Sequence, residues 1–215
     1  MNSSKWIQII VGEFEGQGSG LLYWDITRNL LEDKFRPVFL TRADKGIGEK
    51  NEIRTQTLES MQFNNLPIMI ETAGDKEQVE HLVPDLKKKV SHGQLVTVSA
   101  YSLLEETSLA NEHEYVMLKI YFKEKSSWFG RPLHDELLSL MQKQGLIWST
   151  VKRGIAGFGN DQVISKPGLF SRSQVPIIIE CIGPAKVIRE MIPEIKSKAK
   201  HAWIVVLPLQ VIVSQ

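Results

Sequence analysis

Leu66-Pro67-Ile68-Met69-Ile70-Glu71 returns 109 residues later as Val175-Pro176-Ile177-Ile178-Ile179-Glu180, an apolar run with proline second and glutamate last. Val83-Pro84-Asp85-Leu86 returns at the same offset as Ile192-Pro193-Glu194-Ile195. Upstream, Ile7-Gln8-Ile9 matches Leu118-Lys119-Ile120, Asp25 matches Asp135 and Arg42 matches Arg153, with offsets of 110 to 111. Five matches in order at a nearly constant offset mark an internal duplication, and a repeat found first decides how everything else is read. Two homologous domains are expected over 1–105 and 115–215. They are joined by an acidic connector over 106–114, too short to let them part.

The pattern within each copy supplies the fold class. In the second copy 116–123 is β-rich, and Leu133, Leu137, Leu138, Leu140 and Met141 fall at helical spacing until Gly145. Strands follow at 147–153 and 176–182, a helix at 184–200 and a last strand at 202–213. The first copy repeats the series at 6–12, 21–34, 37–42, 67–72, 75–90 and 94–101. Strand-helix-strand-strand-helix-strand, twice, predicts an α+β protein of two tandem ferredoxin-like (βαββαβ) domains.

Composition excludes several function classes. With 42% hydrophobic and 24% charged residues in 215 the chain is neither disordered nor fibrous, and it needs no staple to hold a core. Cys181, the single cysteine, lies in an apolar run and reads as a buried small hydrophobe in a reducing compartment. The N-terminus lacks a signal-peptide pattern and no stretch is long and apolar enough to span a membrane, so a cytoplasmic location is expected. The net charge of +1 hides an imbalance. Residues 1–105 carry 12 Lys and Arg against 15 Asp and Glu, residues 106–114 carry three Glu, and residues 115–215 carry 14 against 7. Anions are expected to prefer the second half.

The expected site lies there. Arg153-Gly154-Ile155-Ala156-Gly157-Phe158-Gly159 opens a roughly 20-residue loop, a length that suggests function in a compact domain. Its glycines permit positive φ and close backbone approach, so that successive N–H groups could cup an anion, with Lys152, Arg153, Lys166 and Arg172 supplying charge. The alternative is a plain turn with solvated charges.

Other motifs carry less. Gly16-Gln17-Gly18-Ser19-Gly20 has neither dinucleotide-fold nor P-loop spacing. The five histidines are scattered without cysteine partners, so no metal site and no cofactor is expected. Lys87-Lys88-Lys89 and the lysines at 196–200 end helices, where cations complement the dipole, and nucleic-acid binding is not expected. Trp24, Trp128 and Trp148 read as packing residues.

The stretches Leu118-Lys119-Ile120-Tyr121, Gly130-Arg131-Pro132-Leu133, Arg153–Gly159, Val175–Glu180 and Ile192-Pro193-Glu194 together resemble a small uncharacterised PII-like family whose members are often encoded beside fluoride channels. The first copy has Arg42-Ala43-Asp44-Lys45-Gly46-Ile47-Gly48 in place of the glycine-rich motif, a divergent version. The resemblance implies a ferredoxin-like fold, a tendency to form homo-oligomers with trimers favoured, and no established enzyme activity. PII relatives bind nucleotides or other small anions in clefts between subunits and touch a protein partner with a mobile loop after the second strand; Arg153, Gly154, Gly157, Phe158 and Gly159 stand in the matching place here. The leading expectation is thus a non-enzymatic regulatory, ligand-binding protein. The rival is a tandem α+β barrel enzyme acting on a small molecule, to be recognised by ionisable residues on inward sheet faces, where the sequence shows nearly unbroken apolar runs. A third reading is an adaptor without small ligand, touching a membrane channel or another protein.

Overall fold

The computed structural model describes residues 4–16, 20–35, 37–47, 53–55, 65–101, 114–124, 131–146, 148–158 and 175–212. The N-terminal half runs β1 (Ser4–Gly12), α1 (Leu22–Glu32), β2 (Val38–Arg42), β3 (Lys45–Ile47), β4 (Ile53–Thr55), β5 (Pro67–Asp75), α2 (Lys76–Lys89) and β6 (Gln94–Ala100). The C-terminal half runs β7 (Tyr115–Glu124), α3 (Leu133–Lys143), β8 (Thr150–Arg153), β9 (Ala156–Phe158), β10 (Val175–Pro184), α4 (Ala185–Lys198) and β11 (Trp203–Leu209). Every strand pairing is antiparallel, in sheets ordered β6-β1-β5-β2-β9 and β11-β7-β10-β8 and a ribbon β3-β4. The architecture is α+β.

Helical spacing builds each helix and selects what it covers. Tyr23, Ile26, Thr27 and Leu30 line the buried face of α1, and Ile188, Met191, Ile192 and Ile195 that of α4. Gly145, at φ +73°, follows the end of α3 where a side chain would be strained. The helices pack on one face of each sheet. Ile7, Ile9 and Val11 of β1 join Ile68 and Ile70 of β5 in one core, and Leu118, Ile120, Ile177 and Ile179 join α3 and α4 in another.

Alternation along the same strands sends Trp6, Phe39, Ala73, Ala100, Tyr121, Ile178, Val205 and Leu207 the other way, where they form a third core drawn from both halves. The sheets therefore pack face to face, helices outside, in four layers. Residues of both faces are buried, which explains why Ile177–Ile179 and Ile204–Leu207 read as continuous apolar runs rather than alternating ones.

One strand departs from the expected plan. The segment 154–174, expected as loop, contains β9, and β9 leaves its own half to pair with β2 of the other: Val38 opposite Phe158, Phe39 opposite Gly157 and Leu40 opposite Ala156. Phe158 and Ala156 are buried in the N-terminal core. A second tie is the backbone bridge of Tyr101 to Val206. The connector expected over 106–114 lies outside the described residues except Glu114, whose carbonyl accepts from Ala185 N. Trp24 packs on the N-terminal core as expected of a packing residue, Trp128 lies outside the described residues, and Trp148 is 86% exposed, a correction taken up below.

Two outcomes follow from this burial. Phe158→Ala, cutting a side chain that bridges the halves, is expected to cost about 3–5 kcal/mol in urea denaturation, and a loss well under 1 kcal/mol would show the bridge is not made. Cys181 is buried and its pKa is pushed up to about 12 by burial. Its thiol is expected to ignore Ellman's reagent at mildly alkaline pH until denaturant opens the core; prompt labelling of native protein would contradict that.

Candidate functional site

The glycine-rich motif is placed by a turn that both halves share. Ala43 N donates to Pro67 O at 2.9 Å after β2, and Gly154 N donates to Pro176 O at 2.8 Å after β8. A Cβ on Gly46 would lie 2.5 Å from Pro67 Cγ, and one on Gly157 3.0 Å from Pro176 Cβ. On Gly154 it would lie 2.9 Å from Pro176 Cβ and 3.0 Å from Leu40 O. These three glycines serve close packing, and none of them is among the positive-φ residues. Gly154 N is taken by Pro176 and Ile155 N by Leu40 O at 2.8 Å, so these amides do not face an anion. Phe158 is a core residue. Gly159, Lys166 and Arg172 lie outside the described residues. Of the expected cluster the structure brings together Lys152, Arg153, Gly154, Gly157 and Phe158 at the β8–β9 corner, with Arg153 exposed, Lys152 turned toward Glu180 and the glycines buried.

The two basic residues of that corner have different fates. Lys152 Nζ lies 2.6 Å from Glu180 Oε2. Arg153 is exposed, and its side chain makes no ion pair or hydrogen bond to a described residue. Its repeat counterpart Arg42 is held by Glu13 through Nε–Oε1 and Nη2–Oε2 bonds, both 2.9 Å. Glu124, which stands where Glu13 does, instead accepts from the backbone N of His134 at 3.2 Å and lies 2.6 Å from its Nδ1, at the start of α3. Arg153 has lost its acid to a helix N-terminus, where a carboxylate also meets the dipole.

Between the sheets lies a cluster that the sequence reading missed. Lys119 Nζ, 3% exposed, sits 3.0 Å from Glu71 Oε1 and 2.8 Å from Glu180 Oε1, with the Trp6 ring centroid 4.3 Å away. Tyr121 Oη donates to Glu71 Oε2 at 2.8 Å and accepts from Trp6 Nε1 at 3.0 Å, and Gln8 Nε2 donates to Glu71 Oε1 at 2.9 Å. Ionisable residues thus do occupy the inward faces, where unbroken apolar character was expected. Glu71 and Glu180 are the repeated glutamates; a lone charge inside an apolar run, in both copies, was the available signal.

Burial and charge set the behaviour of the cluster. Burial raises the Tyr121 hydroxyl well above its ordinary pKa, and the Glu71 carboxylate it bonds adds to the effect. Burial also pushes Glu180 up, but Lys119 and Lys152 outweigh it and leave the carboxyl below the usual range. Two carboxylates and two ammonium groups neutralise one another. A cleft of about 350 Å³ opens at one end of the seam, beside Ala73, Ala100, Trp203 and Val205, and none of Glu71, Lys119 and Glu180 lines it. No group of three or more potential metal ligands occurs among the described residues, and none of their helices is long and apolar enough to cross a membrane.

Since folding lowers the Glu180 pKa, its contribution is full above the ordinary carboxylate range and is lost as pH falls through the lowered value. Wild type should therefore weaken in acid, and Glu180→Gln should show a shallower loss in urea titrations across pH. Lys119→Met leaves Glu71 without a cation in the seam, while Glu180 keeps Lys152, and should cost about 3–5 kcal/mol at neutral pH. The variant should then lose less stability than wild type on mild acidification; parallel pH profiles for variant and wild type would contradict the network.

A family model described as DUF190, Uncharacterized ACR, COG1993, matches residues 4–102 and again 115–211. A UPF0166 protein of Aquifex aeolicus (strain VF5) is 37% identical over 83 residues, 38% of this chain and 79% of that protein. UPF0166 protein MJ1524 of Methanocaldococcus jannaschii is 25% identical over 92 residues, 42% and 84% respectively. A crystal structure of an unknown protein from Galdieria sulphuraria superposes with a TM-score of 0.30 at 10% identity, covering 98% of this chain and all of that one.

Proposed function

The chain belongs to the DUF190 family with the family domain present twice, and on that premise we propose that it is a non-enzymatic, PII-like regulatory protein that binds a small anion or nucleotide at Arg153 and signals to a protein partner. In this reading each half is a ferredoxin-like unit, which is supported by the strand order fourth-first-third-second in both. The observation that carries the reading is the release of Arg153. One guanidinium of the repeated pair is neutralised by Glu13, and the other stands exposed at the root of a loop that begins at one half's edge and returns to the other's β10. A planar fork of donors suits phosphate or carboxylate oxygens, and the +7 balance of residues 115–215 favours anions. With the motif's amides engaged at 154 and 155, recognition falls to side chains. A ligand on this loop would touch a segment anchored to both halves, which is how occupancy could be reported.

The inward ionisable cluster is the feature the rival enzyme reading called for. Its acids and bases are bonded to one another and stand apart from the cleft, which favours an architectural role.

Isothermal titration of the full chain with ATP, ADP, AMP and inorganic phosphate tests the reading. Saturable binding is expected, weakened on the order of tenfold or more by Arg153→Ala, as for loss of a charged hydrogen bond. Arg42→Ala, which acts on the neutralised counterpart, should leave it nearly unchanged. Absence of binding to every probe, or equal loss in both variants, overturns it.

A further inference from the structure

Arg42 and Arg153 stand on matching backbones, so a side chain must account for their different states. Arg42 lies opposite Ile68 on β5 and Arg153 opposite Ile177 on β10, counterparts at offset 109. Glu13 N donates to Leu66 O, and Glu124 lies opposite Val175, the counterpart of Leu66. The helices above them, Leu22–Glu32 and Leu133–Lys143, are equal in length and start 111 residues apart, with Ile26 and Leu30 of the first buried as Leu137 and Met141 are in the second. Arginine, glutamate and helix thus keep one arrangement in both halves, and Glu13 shows that the glutamate can reach the guanidinium from it.

The start of the helix does not by itself explain why Glu124 turns away from Arg153. Helix α1 offers a like end, its N-cap residue Leu21 making no side-chain bond, and Glu13 still goes to Arg42. What differs there is the second helical residue, Tyr23 in α1 and His134 in α3. Burial raises the Tyr23 hydroxyl above its ordinary pKa, a bond with Trp24 works against that, and the charge of Glu13 adds to the rise. The phenol is engaged by Trp24 and leaves Glu13 to the arginine. His134 presents a ring nitrogen instead, its Nδ1 2.6 Å from Glu124 Oε2 and its backbone N 3.2 Å from Oε1, with both side chains 13% exposed. Asp135 Oδ1 stands 3.6 Å from Nε2 at the ring's other edge. With Glu124 accepting, Nδ1 carries a hydrogen in the neutral and in the charged ring alike.

We propose that His134 is the positioning residue of the Arg153 site: by holding Glu124 at the start of α3 it keeps the guanidinium available to an anion. A neighbouring carboxylate and an incoming anion compete for one planar fork of donors, so the glutamate must be held elsewhere for the anion to bind well. The first half carries the reverse choice, a tyrosine at the helix start and an arginine closed on its glutamate. The use made of the open guanidinium rests on the anion reading; the hold of His134 on Glu124 does not.

Two measurements on the full chain separate the hold from its use. Without ligand, the arginine Nε–H signals in proton–nitrogen NMR, assigned by their loss in Arg42→Lys and Arg153→Lys, report each guanidinium. Wild type is expected to show slow solvent exchange at Arg42 and fast exchange at Arg153. His134→Tyr, which installs the residue of the first half, should slow exchange at Arg153 on the order of tenfold. Adding Glu124→Gln should return it to the wild-type rate, a rescue that general damage to α3 would not give. Should His134→Tyr fail to fold, His134→Ala takes its place with the same expectations. Slow exchange at Arg153 in wild type, no slowing in the folded variant, or slowing that survives Glu124→Gln would each overturn the proposal. In titrations with ATP, ADP, AMP and inorganic phosphate, the same variant should weaken binding on the order of tenfold and the double variant should restore it. Unchanged affinity with Arg153 closed overturns the positioning role. Binding of no probe by wild type, with exchange as expected, overturns the anion reading and the site with it, and leaves the hold of His134 on Glu124 standing.

Discussion

A single ammonium group, Lys119 Nζ, lies between two carboxylates in the plane where the two sheets meet, and the arrangement of the halves depends on it. Taking these charges out of water costs nearly what their attraction returns, so the cluster adds little to stability as such. Its effect is on alternatives. A one-residue slip of β7 would carry Lys119 to the helix side and leave Glu71 and Glu180 facing apolar neighbours. Trp6, Tyr121 and Gln8 complete the bonding of Glu71 and Lys119 from both halves, so sliding one sheet over the other breaks several bonds together.

Around that seam the duplicated halves have diverged at matching positions. The turn after the second strand is the same in both, down to the backbone bond to a proline carbonyl. The strands beyond it differ in what they reach, one burying Phe158 in the neighbouring core and the other presenting Ile47 to water. The arginines before the turn differ in the opposite sense, Arg42 closed on Glu13 and Arg153 open. The first half thus keeps a neutralised version of the arginine that is exposed in the second, and the second supplies the strap that covers the first.

The helices and the long strands were legible because period and punctuation agree at those places, as with Leu137, Leu140 and Met141 ahead of Gly145. β9 was not, since three residues with a glycine at the centre carry no periodicity and the partner strand lies more than a hundred residues away. The glycines of the motif read equally well as an anion cup or as close packing, and only the position of Pro176 decides between them. The inward charges were hidden by double burial: where both faces of a strand are covered, alternation vanishes and a single glutamate looks incidental. Trp148 looked like core because its ring is large, while its exposure is set by an edge strand that ends beside it.

The seam also discriminates self from other. Gln8 stands where the second half has Lys119, and Thr41 where it has Lys152, while the glutamate is common to both. Two N-terminal sheets laid face to face would enclose two carboxylates and no cation; two C-terminal sheets would set four ammonium groups against two carboxylates. Only the unlike pair is neutral. The halves are complementary mating types, and neither could pair with its own kind through this face without burying an unbalanced charge.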